Sequence, residues 1–308
     1  MEDLIRILEI NANHAPELFG PLHLTALIIA VSLALFVGVH FRGKKDILTY
    51  KKIMFTLGVF FILTEIWKLV IMTFPSNGEH YFRWREFPLQ LSSLPMFVYL
   101  IASLTVKNER IHHTLNHFMA TYFLMGGISA VAFPETLFRT PYFIPLHSLI
   151  LHSVMLVVGV YLYTTGFVKY EPKSVWFKRA VMIFLGYVLV SQTIMVSAGL
   201  LGFYTPGFNG IGRMYASGDY PGNFMILGHL SPWSVSTIPI ARQVQLLILD
   251  HGHLAVAYVA SVITYTICCI LFAYLLFKGS ESVKRLYHKM TTSKATVPVI
   301  PELTKKSL

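Results

Sequence analysis

Apolar runs of about twenty residues recur along the chain, separated by short polar clusters. They extend from Pro21 to Phe41, Ile53 to Phe74, Pro88 to Val106, Leu115 to Phe133, Phe143 to Thr165, Phe177 to Phe203 and Leu254 to Phe277. At a rise of about 1.5 Å per residue, each run is long enough as a helix to cross roughly 30 Å of hydrocarbon. The pattern predicts an all-α, polytopic membrane protein with seven transmembrane helices. Pro21 and Pro88 stand at the starts of runs, where a missing backbone N–H costs nothing, and Pro75 and Pro134 follow the ends of others. Residues 1–19 mix acids with Leu4, Ile5 and Leu8 and lack both a basic start and a small-residue cleavage site. That stretch reads as an interfacial segment rather than a removable signal peptide. The membrane domain is expected over 20–277, with one long connection over 204–253 and a basic tail over 278–308.

Composition agrees: 55% of the 308 residues are hydrophobic and 13% are charged, about half the charged share of a soluble domain. The formal charge of +10 does not point to nucleic acid, because Lys and Arg fall in short clusters between apolar runs. Their distribution instead orients the chain. Eighteen lie on one side (Arg42 to Lys52, Lys107 and Arg110, Lys169 to Arg179, and the tail from Lys278), six on the other, and Lys68 falls inside the second run. The expected topology therefore has the amino terminus outside and the carboxy-terminal tail in the cytoplasm, in the plasma membrane. Cys268 and Cys269 are adjacent, so they neither staple distant segments nor supply a spaced metal set.

Ionisable groups in a bilayer cost several kcal/mol unless paired or hydrated, so their positions are the informative ones. Glu65 and Lys68 are three apart on the second helix, hence on one face, roughly 9 to 13 Å from its outer end. His147 and His152 lie in the outer half of the fifth helix, with Ser148 on the same face as His152. Gln90, Ser92 and Ser93 open the third, His23 opens the first, Gln192 lies on the sixth, and Asp250, His251 and His253 precede the seventh. Together they predict a polar layer near the outer leaflet above an inner half that is nearly all apolar, His117 excepted. The structural alternative is helix glue: an ion pair that serves packing, histidines satisfied in the core, and serines bonded to their own preceding turn. A zinc site from His147, His152, His251 and His253 is disfavoured, because five residues on a helix turn two rings about 140° apart. No metal or other cofactor is expected, and a retinal Schiff base is disfavoured more strongly than zinc by the absence of lysine between His253 and Phe277.

The landmarks Phe19 with His23, Pro88-Leu-Gln-Leu-Ser92, Gly126-Gly-Ile-Ser-Ala, Pro134, His147 to His152 and Asn223-Phe-Met-Ile-Leu227 resemble the YwaF-like family of seven-helix bacterial membrane proteins. That family has a distant eukaryotic relative that is a glycerophospholipid acyltransferase. Its third helix typically begins Pro-Leu-His-Leu-Cys, the cysteine being the acyl-carrying nucleophile assisted by a histidine on a later helix. Here the matching positions are Gln90 and Ser92, so the resemblance implies a serine version with His152 as its base. The expected activity is a lipid acyltransferase or hydrolase with Ser92 and His152 at its centre. Glu65, Lys68, Gln90, Ser93, His147, Gln192 and His23 would line the pocket. Membrane lipids, or a small-molecule or lipid substrate, are the expected partners, and nucleic acid is not. The rival expectation is a transporter or binding protein for a small polar solute or lipid head group, in which Glu65 and Lys68 dominate. A third is a scaffold acting through the 204–253 loop.

Overall fold

The computed structural model describes residues 19–73, 93–132, 143–168, 175–200 and 266–279, together with Glu17, Ile263 and Ser282. All regular structure among them is helical. Helix α1 is Pro21–His40, α2 is Ile47–Thr73 and α3 is Leu94–Leu104. Helix α4 runs through three contiguous parts: Glu109–Phe118, a π-helical Met119–Phe123, and Leu124–Ala132. Phe143–Thr165 forms α5, Val175–Leu200 forms α6 and Thr266–Gly279 forms α7. Among the described residues, four helices are long and apolar enough to cross a membrane: α1, α2 over Ile47–Ile71, α5, and α6 over Phe177–Ile194.

Local chemistry sets the helix ends. Pro21 begins α1, where its fixed φ suits the first turn. Two starts lie earlier than the apolar runs predict. At α2 the Asp46 carboxylate accepts from the backbone N–H groups of Leu48, at 3.1 Å, and Thr49, at 3.2 Å, and from the Thr49 hydroxyl. At α4 the Asn108 side chain accepts from Ile111 N at 3.2 Å, with Glu109 in the positive-end first turn. Capping thus extends both helices beyond the apolar run, which alone put their starts at Ile53 and Leu115.

Close backbone approach fixes the packing. A Cβ on Gly58 would stand 2.8 Å from Leu100 N, one on Gly127 2.6 Å from Leu156 N, and one on Gly159 2.7 Å from the Leu124 Cβ. Small residues at such crossings are how helices associate without a hydrophobic drive between them. The pair Gly127–Leu156 and Leu124–Gly159 runs α4 antiparallel to α5, and Gly58–Leu100 together with Glu65–Ser93 does the same for α2 and α3. Gly43, at φ +70°, donates its N–H to Thr164 O at 2.8 Å, which ties the α1–α2 turn to the end of α5. At the same end Phe177 packs on Tyr274 and Phe277, joining α6 to α7.

Inside lies an aromatic core built on Tyr50, Phe61, Tyr99, Phe118, Tyr122, Phe123, Phe167 and Phe184. All five π-helical residues of α4 are buried. The outer surface inverts the soluble pattern: Ile28, Leu35 and Val39 on α1 and Met182 and Leu189 on α6 are each more than 60% exposed. An apolar belt of this extent suits contact with lipid rather than water.

Candidate functional site

Three helices deliver polar side chains to one buried cluster. From α2, the Glu65 and Lys68 side chains meet with Lys68 Nζ 2.6 Å from Glu65 Oε1. From the start of α3, the Ser93 hydroxyl donates to the same oxygen at 3.4 Å. From the first turns of α5, His147 Nε2 stands 3.7 Å from Glu65 Oε2, too far for a hydrogen bond, and has no hydrogen-bond partner among the described residues. All four residues are at most 7% exposed. Glu65 is the hub: one carboxylate gathers an ammonium, a hydroxyl and an imidazole.

His152 lies one turn and a half farther along α5, within electrostatic range of His147. Its Nδ1 donates to Ser148 O at 2.7 Å, which leaves the lone pair on Nε2. A neutral imidazole held in that tautomer presents a base. The face that Ser148 shares with His152 is realised through its backbone carbonyl.

His23 is engaged where α1 meets α4. It starts α1, where Nδ1 accepts from Phe19 N at 3.0 Å and Nε2 donates to Val131 O at 2.9 Å, pinning α1 to the end of α4. Both ring nitrogens are engaged in structural bonds. Phe19 adopts a φ of +60° to make this contact. Gln192 is half-buried on α6. Ser92, Gln90, Asp250, His251 and His253 lie outside the described residues. Among the described residues no group of three or more His, Cys, Asp or Glu side chains could hold a metal ion.

A second polar cluster was not legible from hydropathy. Tyr50 OH donates to Asn116 Oδ1 at 2.6 Å, and Asn116 Nδ2 lies 3.0 Å from His112 Nε2. His117 Nδ1 and the hydroxyls of Tyr99 and Tyr122 are buried without hydrogen-bond partners among the described residues. The expectation that the half away from Glu65 is nearly all apolar is therefore corrected. Tyrosine counts as apolar in a hydropathy pattern although its hydroxyl must still be satisfied, and starting the fourth run at Leu115 left His112 in a loop. An i,i+4 pair of His112 and Asn116 at the capped start of a helix was the available signal.

The family comparison now decides the class. A model of the TMEM164 family matches residues 18–277, most of the chain. The chain belongs to the TMEM164 family. No curated protein and no solved structure matches it. As a TMEM164 family member with these apolar helices, it is a multi-pass membrane protein. The Glu65 cluster is accordingly a buried ionic site in a membrane protein, where such groups cost most and mark function most often.

Proposed function

We propose that this TMEM164 family protein acts on membrane lipids as an acyl transferase or hydrolase, with its pocket at the Glu65 end of the bundle. The observation that carries the reading is the convergence of Glu65, Lys68, Ser93 and His147 from three helices in one buried cluster. His152 lies nearby with its ring proton fixed on Nδ1. Ser92 directly precedes Ser93 in the chain. In this reading Ser92 Oγ attacks the ester carbonyl of a phospholipid while His152 Nε2 takes the hydroxyl proton. The ester C–O bond then breaks, and the lysolipid oxygen leaves with that proton, giving an acyl-serine. An acceptor hydroxyl or water, deprotonated by the same imidazole, releases the acyl group. Gln90 or Ser93 would donate to the oxyanion, and Lys68 with Glu65 would match the charges of the head group. The topology that suits this is seven spans with the amino terminus outside, placing the pocket in the outer leaflet of the plasma membrane.

The experiment compares wild type with Ser92→Ala and His152→Ala by lipid profiling and by labelling with a serine-reactive probe. Both variants are expected to lose labelling and to alter the profile. Unchanged labelling and profiles remove the enzyme reading. The hub position of Glu65 favours a second reading, recognition or transport of a polar solute or head group without chemistry. It predicts that Glu65→Gln abolishes uptake while Ser92→Ala is silent.

A further inference from the structure

At the opposite end of α2, the hydrogen-bond chain running through Tyr50, Asn116 and His112 ends on a donor with no acceptor among the described residues. Tyr50 OH donates to Asn116 Oδ1, so the amide nitrogen Nδ2 is left to donate to His112 Nε2. An accepting Nε2 puts the proton of the neutral ring on Nδ1. That N–H is buried and has no hydrogen-bond partner among the described residues, and the residue is only 6% exposed. The ring is held edge-on by Tyr50, with centroids 4.8 Å apart, and by Phe167, at 5.8 Å. Over the same Phe167 ring, 5.6 Å from its centroid, stands the ammonium of exposed Lys45. A buried neutral donor and an exposed cation therefore share one aromatic wall.

Among the described residues, the acids nearby do not fill the gap. Both oxygens of Asp46 are taken by the cap of α2, from Leu48 N, Thr49 N and the Thr49 hydroxyl. Glu109 is turned outward, 86% exposed, with His113 Nε2 at 3.5 Å. Among the described residues neither acid reaches the His112 Nδ1–H, and this end also carries the basic α1–α2 turn. We propose that Lys45 and His112 form a second site, for a phosphate-bearing anion. The ammonium supplies the charge and the Nδ1–H of His112 the directional bond. Basic pockets between membrane helices take anionic lipid head groups in this way. The proposal is independent of the lipid chemistry assigned to the Glu65 end.

The test uses the full chain, purified in detergent, with thermal unfolding followed in four conditions: no addition, phosphatidylglycerol, phosphatidylcholine, and inorganic phosphate. Lys45→Gln and His112→Phe are compared with wild type. Lys45 is exposed, so its variant folds, and phenylalanine keeps the His112 ring volume while removing the donor. Phosphatidylglycerol is expected to raise the melting temperature of wild type more than phosphatidylcholine does. Each substitution should weaken the lipid's half-saturating concentration by roughly tenfold. A rise with inorganic phosphate of the same size, lost in the same variants, identifies the ligand as free phosphate. Equal rises with phosphatidylglycerol and phosphatidylcholine overturn the site. So does loss of the effect in Lys45→Gln alone, which would mean general surface attraction.

Discussion

The two ends of α2 solve the same problem in opposite ways. Tyr50 and Glu65 are fifteen residues apart, roughly 22 Å along the helix, and each is the hub of a buried polar group. Around Tyr50 the members are neutral and pass hydrogen bonds along a line to His112. Around Glu65 they include a carboxylate and an ammonium, with an imidazole nitrogen 3.7 Å off and without a hydrogen bond. The line from Tyr50 through Asn116 to His112 is neutral and reads as architecture that ends on one open valence, the His112 Nδ1–H. An ionic cluster is a poor way to stabilise a bundle, because desolvation offsets most of the attraction. A cluster that holds charge in the bilayer and leaves a histidine unsatisfied is better explained by a ligand or a reaction.

The comparison breaks most visibly at Lys68. Lys68→Met removes the counter-charge of Glu65 and is expected to cost about 3–5 kcal/mol of stability. The double variant Lys68→Met, Glu65→Gln should recover most of that loss in thermal unfolding while staying inactive. Full activity in the double variant would make the cluster structural. At the neutral end the stake is smaller: Tyr50→Phe strands an acceptor on Asn116 and should cost about 1–3 kcal/mol, with activity per folded molecule unchanged. Smaller again is Asn108→Ala, which removes the cap of α4 for about 1 kcal/mol, measured the same way.

The least effect is a pH dependence at Asp46, whose carboxyl is held below the ordinary range chiefly by the Thr49 hydroxyl, then by the N–H groups of Leu48 and Thr49. A group more acidic when folded contributes fully above its unfolded value, near 3.9, and loses its contribution as pH falls through the folded one. The melting temperature should be flat in this respect from pH 7 to 5 and fall below about pH 4, with the fall reduced in Asp46→Asn.

What hydropathy could reveal, it revealed through contrast with lipid. The run Phe143 to Thr165 coincides with α5, and the i,i+3 spacing of Glu65 and Lys68 is enough to make them pair. Helix starts were less legible, because Asp46 and Asn108 extend α2 and α4 through backbone capping that an apolar count does not register. The π-helical turn at Met119–Phe123 leaves no mark in composition, although Thr121 inside it donates to His117 O at 2.6 Å. His23 shows the limit of reading polarity as function: its ring bonds Phe19 and Val131 and holds two helices together. Pairing is legible from spacing, whereas the choice between glue and chemistry depends on which valences remain open.

The central claim is that the Glu65 end carries lipid acyl transfer through Ser92 and His152. Intact-protein mass spectrometry after incubation with a phospholipid of defined acyl chains tests it most directly, followed by peptide mapping. The account predicts a mass increase of one acyl group, mapped to Ser92, absent in Ser92→Ala and strongly reduced in His152→Ala. An unmodified wild-type chain under conditions where it turns over lipid, or an acyl group mapped to any other residue, contradicts it.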